Sequence, residues 1–397
     1  MRSYRLLSFA TLYPTPQRPG FGGFVARQME ALAARGDWEV TVVNPIGLPP
    51  LRIGRYAELA RAPAVESRGG VTVHHLPFTL IPKVSGRFNP RSIARAVLPL
   101  ARRLHAETPF DAIDAQFFYP DGPAAARIAA SLGLPYAIKA RGSDIHLWGA
   151  NAPALAQMRA AAGGAGALLA VSDALRRDMA AIGMAHNRIA VHYTGLDHQR
   201  FKPLDRTRAR QLVAEDPALC IAREGRLLLS VGALIPIKGQ GLAIRALALL
   251  PGDVRLALAG TGDQRPALEG LAASLGLTDR VHFLGAVSHD ALPVLLSAAD
   301  IMVLPSEREG LANAWIEALA CGTPIVVPDV GGAREVVSTP AAGRLAGREP
   351  EAIASAISEI LADPPAQDTV SASAARFSWD ANAAELAAIY AGLVRRA

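Results

Sequence analysis

The sequence predicts an α/β protein made of two doubly wound domains, each a parallel sheet with helices on both faces. Three observations predict it. The 397 residues exceed what one hydrophobic core usually holds, so two domains of roughly 200 residues each are expected. Half of the residues, 51%, are hydrophobic and only 6% are aromatic, which suits cores of Ala, Leu, Val and Ile rather than a disordered chain. Short apolar runs alternate with longer amphipathic stretches from end to end, the signature of repeated β-α units.

In the first half, Arg5–Leu12, Glu39–Val43, Val71–Leu76, Ala112–Phe118, Tyr136–Ala140, Ala167–Val171 and Ile189–His192 read as strands, with helical patterns at Phe24–Arg35, Ser92–His105 and Ala174–Ile182 between them. In the second half the strands are Arg226–Val231, Val254–Ala259, Val281–Leu284, Ile301–Leu304 and Pro324–Val327. Helices are expected near Gly241–Leu250, Arg265–Leu275, Ala291–Ala298 and Ala312–Ala320. The stretch from Gly195 to Glu224 is polar, carries Pro203 and Pro217 and shows no strand, so a linker and hinge is placed at 198–224. The expected division is then 1–197, 225–378 and a terminal segment 379–397. Two such domains facing across a cleft would bind ligands at the carboxyl ends of their strands.

The apolar stretch Leu6–Leu12 is too short for a membrane span and reads as the first buried strand, and no other apolar run reaches about 18 residues. Only Cys220 and Cys321 are present, with no pairing framework, so a reducing, cytoplasmic setting is expected and structural zinc is excluded on ligand count. Charge is uneven. Residues 1–197 hold 22 Lys+Arg against 13 Asp+Glu, and residues 198–397 hold 19 against 22. The basic first half suggests a phosphate-carrying partner, such as an anionic membrane surface or a lipid-linked acceptor. A merely solvated basic surface is the alternative, and no nucleic-acid partner is expected.

The densest chemical signal runs from Pro305 to Pro324. An apolar strand ends, Gly310 relaxes the backbone, and a helix opens, so amide groups near Leu311, Ala312 and Asn313 and the helix dipole can face an anion such as a diphosphate. Glu309 stands before that helix end and Glu317 lies inside the helix, where both could accept hydrogen bonds from sugar hydroxyls. For an isolated pair, the plain alternative is that glutamates only offset the helix dipole. Upstream, Lys238 follows a strand and Gly232, and is well sited to meet phosphate. Gly260 and Gly262 follow another strand; alone they are a weak dinucleotide signal and fit a tight turn near a base. In the first half, Gly22, Gly23 and Phe24 open a helix after a glycine-rich loop. No acidic residue stands about 20 positions on, where a nicotinamide-cofactor protein would clamp the ribose; Val42-Val43-Asn44 offers none.

Glu309 to Glu317 resembles the E-x7-E motif of the GT-B retaining glycosyltransferases usually numbered family four. Around it, Gly232 to Gly239 looks like that family's G-R-L-x-x-x-K-G element with Ala233 in place of the Arg, and Lys139 to Asp144 looks like its H-G-x-D element with Arg141 in place of the His. Tyr193 to Pro203, Asp329 to Glu335 and Phe377-Ser378-Trp379 resemble further family elements, so the resemblance spans almost the whole chain. It implies two Rossmann-like doubly wound domains, an acceptor-binding first and a donor-binding second, with a C-terminal helix crossing back to the first. It also implies a hexosyltransferase that takes a nucleoside-diphosphate sugar and passes the sugar, with retention, to a saccharide or lipid-linked acceptor.

In that reading Lys238 and the helix end at Gly310 meet the diphosphate, Glu309 orients the sugar, and Glu317 holds the ribose. Gly22, Gly23, Gly232, Gly260 and Gly262 line the donor. Arg141 cannot act as a base at neutral pH, so its part would be electrostatic or orienting. Asp144 and Phe24 are candidate acceptor or sugar contacts, with capping the alternative for Asp144. No D-x-D occurs and the nine histidines form no metal-spaced cluster, so no metal or other cofactor is expected. The family offers no agreed nucleophile, which favours a front-face path through a short-lived oxocarbenium-like pair. Ala233 and Arg141 keep two rivals open: a non-catalytic sugar-nucleotide-binding partner of an assembly, and a GT-B sugar-nucleotide epimerase.

Overall fold

The structure is a computed structural model and describes residues 3–82, 84–217, 219, 221 and 224–396. The chain divides into two compact units, Met1–Gly195 with Trp379–Ala397, and Leu196–Ser378. Cys220 lies outside the described residues.

The first unit is an eight-stranded sheet of β1 (Tyr4–Phe9), β2 (Trp38–Leu48), β3 (Val65–Arg68), β4 (Val71–Thr79), β5 (Ala112–Ala115), β6 (Tyr136–Ala140), β7 (Ala167–Ala170) and β8 (Ile189–Val191). Their order is β3-β4-β2-β1-β5-β6-β7-β8. All neighbours pair parallel except β3 and β4. Central strands are apolar on both faces because helices cover both. Thus β5 and β6 are buried at every position, and Leu6, Val42, Ile113 and Ile138 are sealed from water.

The C-terminal helix Trp379–Val394 belongs to this unit and packs on the helix Gly23–Ala34. Its Leu386, Ala387, Tyr390 and Leu393 join the core formed with Met29, Leu32 and Trp38. Asn382 ties its start to the sheet, because His192 Nε2 donates to the Asn382 carbonyl at 2.9 Å while the Asn382 amide donates to the Tyr193 carbonyl at 2.6 Å.

The second unit is a six-stranded, wholly parallel sheet. Its strands are β9 (Arg226–Val231), β10 (Val254–Ala259), β11 (Val281–Gly285), β12 (Ile301–Val303), β13 (Ile325–Val327) and β14 (Gly343–Leu345), in the order β11-β10-β9-β12-β13-β14. Its core of Leu228, Leu256, Ile301 and Val326 is closed on one face by the helices Gln240–Leu247 and Pro350–Ala362. Both units are the doubly wound sheets the sequence predicts, and each expected strand overlaps an observed one. Within the expected linker, Asp205 caps a helix, Arg206–Glu215, by accepting from Arg208 N at 2.9 Å. That helix packs in the second unit on Leu292–Ala298.

Candidate functional site

In the second unit three loops meet at the carboxyl ends of β9, β12 and β13. The loop after β9 carries Lys238; the loop after β12 carries Glu309. They are tied by a hydrogen bond from Glu307 N to the Ile237 carbonyl at 2.8 Å, and by Gly239, at φ +70, where a Cβ would strike the Pro305 carbonyl. Only glycine accepts both the left-handed backbone and that approach. The result brings together the two side chains that sequence spacing alone leaves 71 residues apart: Lys238 Nζ stands 2.6 Å from Glu309 Oε1.

Behind them the loop after β13 closes the group. Gly331, at φ +52, lies so close to the carbonyls of Glu309 and Gly310 that a Cβ would overlap them, and Gly332 N donates to the Gly310 carbonyl at 2.8 Å. The helix that follows runs from Asn313 to Ala320, and its cap residue Ala312 offers no side-chain hydrogen bond. The cap residue thus leaves the helix's first amide groups unclaimed by its own side chain, which suits an anion site. Trp315, Ile316 and Leu319 anchor the helix in the core, so its half-buried face carries Asn313 and, one turn on, Glu317. Leu311 and Ala312 are each 9% exposed and form the dry wall of the turn.

Gly232, Gly260 and Gly262 have a packing role. A Cβ on Gly260 would meet the Gly232 carbonyl, and one on Gly262 the Leu234 carbonyl, while Leu234 N donates to the Thr261 carbonyl at 2.9 Å. These glycines let the loops after β9 and β10 lie backbone against backbone. Ala233 is exposed and supplies no cation to this group of loops.

In the first unit Gly22, at φ +71, caps the helix Gly23–Ala34, and a Cβ there would strike the Leu12 carbonyl. Phe24, half-buried, lies beneath Arg141, whose guanidinium carbon is 5.1 Å from its ring centroid. The guanidinium also donates to the side chains of Gln28 and Gln116 and to the Gln116 carbonyl. Burial lowers its pKa to about 10, so it stays cationic at neutral pH.

Asp144 is where the two sequence readings part. It is fully buried, and its two carboxylate oxygens accept from the backbone amides of Phe118, Arg141, Gly142 and Ile145 at 2.6–3.2 Å. It shapes the loop as a cap, and its oxygens are not presented to a sugar.

Beside it sits a polar cluster whose contacts sequence spacing does not reveal. Lys139, 1% exposed, donates to Gln28 Oε1 at 2.9 Å and lies 2.6 Å from His192 Nδ1. His192 Nε2 gives its hydrogen to the Asn382 carbonyl, so Nδ1 accepts from Lys139. Burial, with the nearby Arg141 charge, pulls the Lys139 pKa well below its ordinary range. Asp114 accepts from Tyr390 and Gln116 in the same cluster, so the group also fastens the C-terminal helix.

These two sheets and their glycine-shaped loops define a GT-B protein. A glycosyl transferase 4-like domain matches residues 20–195, and the glycosyl transferases group 1 family matches residues 215–377. The chain belongs to the group 1, or family four, glycosyltransferases. It is 35% identical over 220 residues to the D-inositol 3-phosphate glycosyltransferase of Salinispora tropica, a match covering 51% of this chain and 46% of that one. The match thus spans about half the length of such curated relatives. It is 28% identical over 334 residues to the putative teichuronic acid biosynthesis glycosyltransferase TuaC of Bacillus subtilis, covering 83% and 82% of the two chains. Among solved structures it is similar to Anabaena HepE in complex with UDP, with a TM-score of 0.74 at 22% identity over 98% of this chain and all of that one.

Proposed function

We propose that the chain transfers a sugar from a nucleoside-diphosphate sugar to a saccharide or lipid-linked acceptor, with retention and without a metal ion, in envelope or exopolysaccharide assembly. The observation that carries this reading is the Lys238–Glu309 pair at 2.6 Å beside a helix start that no side chain caps. A lysine and a row of amides suit a diphosphate whose charge grows as the sugar departs. Glu309 is then free to take a hydrogen bond from a sugar hydroxyl, and Glu317, on the outward face of the helix, one from a ribose. The UDP bound to HepE and the teichuronic acid biosynthesis in TuaC's name support a nucleotide donor and a polysaccharide product.

The test is transfer from a panel of UDP-, GDP- and ADP-sugars to saccharide and prenyl-phosphate-linked acceptors in the presence of a chelator. The product's anomeric proton coupling is read by NMR in the first minutes. Turnover with the donor's configuration kept is expected. Binding without turnover in both the native chain and Glu309→Ala would mark a non-catalytic partner, and conversion of the donor without acceptor would mark an epimerase.

Membrane association belongs to the same reading. Among the described residues no helix is long and apolar enough to cross a bilayer. Leu80 N donates to the Leu48 carbonyl at 3.0 Å, so the segments that follow β2 and β4 leave the sheet side by side. Those segments carry Leu51, Ile53, Ile81, Val84 and Phe88, 47–70% exposed, interleaved with exposed Arg52, Arg55 and Arg87. Apolar side chains among arginines fit an anionic lipid interface. Co-sedimentation with phosphatidylglycerol vesicles, weakened by salt and by Ile53→Ser, is expected; binding indifferent to salt would count against it.

A further inference from the structure

Most of the Arg141 guanidinium is already engaged inside the first unit. A guanidinium carries its N–H donors in a fixed fork. Nε donates to the Gln116 carbonyl at 3.2 Å, and Nη2 donates to the side-chain oxygen of Gln28, also at 3.2 Å, and to that of Gln116. Both glutamines are fully buried, and they are joined, because Gln28 Nε2 donates to Gln116 Oε1 at 2.9 Å. Nη1 is different. Among the described residues it takes no hydrogen-bond partner, and it is not sealed from water, so one edge of the fork stays open.

Neither amide can turn over without loss, since its oxygen only accepts and its nitrogen only donates. Gln116 Nε2 donates to Asp114, which also accepts from Tyr390 of the C-terminal helix, and this leaves Gln116 Oε1 facing Arg141. Gln28 Oε1 accepts from Lys139 Nζ at 2.9 Å as well as from Arg141, and a flipped amide would set its NH2 group against two cations. Lys139 is tied in turn to His192, and His192 to the Asn382 carbonyl of the same helix. The Phe24 ring, its centroid 5.1 Å from the guanidinium carbon, covers one face of Arg141. A buried charge is costly unless its hydrogen bonds are made. One held so fully along one edge and left open along the other is stiff, and suits a group that meets a ligand in a single orientation.

We propose that Gln28 and Gln116 are positioning residues for the transfer: they grip Arg141 along one edge, so that Nη1 alone is offered to the oxygens of the reacting molecules. Asp114 and Lys139 stand behind them and hold the two amides in register. This rests on the transferase reading above. A histidine has two ring nitrogens and no fork, so it could not be gripped in the same way, and the pair of amides belongs with the arginine.

The experiment has two arms. The first needs no substrate: heteronuclear NMR of the arginine side chains of the full chain at low temperature, with the Arg141 signals assigned by their loss in Arg141→Lys. A gripped guanidinium is expected to show separate Nη1 and Nη2 signals, and Gln28→Leu to merge them by letting the group rotate. Averaged Nη signals in the parent overturn the proposal, even if a glutamine variant fails to fold. The second arm is steady-state transfer from UDP-glucose, or from whichever GDP- or ADP-sugar is turned over. Gln28→Leu and Gln116→Leu are each expected to lower kcat by about 10- to 100-fold with the donor KM within about twofold. Gln28→Glu, which keeps an oxygen for both cations, is expected to recover part of the loss. Added to Arg141→Ala, Gln28→Leu is expected to cost nothing further, because it acts through the arginine. An equal loss with and without Arg141, or full kcat in Gln28→Leu, overturns the proposal. A locked guanidinium in a chain that moves sugar from no donor would sink the transferase reading and leave the grip itself standing.

Discussion

Lys238 Nζ and Glu309 Oε1 stand 2.6 Å apart at the meeting of two loops, partly exposed at 22% and 12%. Both side chains are largely shielded from water, so their attraction is offset by the cost of stripping water from two charges, and the pair is weak evidence for stability. Its value lies in what each partner can do when a donor enters. Lys238→Ala and Glu309→Gln are each expected to lower kcat/KM for transfer by about 100-fold or more, as loss of a preorganised charge does, with melting temperatures within a few degrees of the parent. Steady-state kinetics beside thermal denaturation check this. Variants that unfold early or keep full activity would assign the pair to structure.

The family Arg is missing at Ala233, which is exposed on the loop between Gly232 and Leu234. Restoring it offers a gain-of-function test. Ala233→Arg is expected to tighten nucleoside-diphosphate binding by about tenfold, the worth of one charge-assisted hydrogen bond pattern. Titration with UDP and GDP in parallel gives the answer. Unchanged affinity for both would mean that the loop holds residue 233 away from the phosphates.

Much of this was legible in the sequence, and the failures have physical causes. Buried parallel strands are apolar throughout, so runs such as Tyr136–Ala140 announce themselves. β3 escaped because Val65–Arg68 is a polar edge strand, although Gly69-Gly70, at φ +52 and +79, is the two-residue hairpin turn that could have revealed it. β14 is three residues long and leaves no periodic trace. The helix Arg206–Glu215 was masked by its polarity, which is also why it lies at the surface.

At the site, Lys238, Glu309 and Gly310 are legible as candidates because each stands in a loop between a strand and a helix that glycine marks. The contacts of Lys139 are not, because no local pattern links segments so far apart in the chain. Only the fold brings Gln28, Lys139 and His192 into contact.

Asp121 supplies a pH signature. It is fully buried, accepts from Thr11 N at 2.9 Å, and leaves its Oδ1 unpaired. Burial above all raises its pKa from 3.8 to about 7, against hydrogen bonds from Thr11 and with help from Asp144 and Asp114. The folded chain therefore holds this proton where the unfolded chain has released it. Its contribution to stability is whole below about pH 3.8 and is lost as pH rises to about 7. Asp121→Asn keeps the acceptor for Thr11 and removes the ionisation, so its unfolding free energy is expected to change less between pH 5 and 7 than the parent's. Chemical denaturation across that window measures the difference, which a parallel pH dependence in both proteins would refute.

Tyr390 carries the last prediction, because it joins the C-terminal helix to the sheet in two ways. Its ring is fully buried and meets Trp38 edge to face at 5.7 Å. Its hydroxyl donates to Asp114, whose carboxyl is itself buried and raised in pKa by that burial. Tyr390→Phe keeps the ring and removes only the hydroxyl, so Asp114 loses one donor and keeps that of Gln116. An unsatisfied buried acceptor costs about 1–3 kcal/mol. Tyr390→Ala also removes the ring and opens a cavity, for about 3–5 kcal/mol. Asp114 then loses a partner for its charged form, which burial already disfavours, so the Phe variant should hold the Asp114 proton to higher pH than the parent. Chemical denaturation of both variants, with hydrogen exchange over Trp379–Val394 to report detachment of the helix, separates a local hydrogen bond from a general loss of packing. A Phe variant with the parent's stability and exchange would show that the hydroxyl does not fasten the helix.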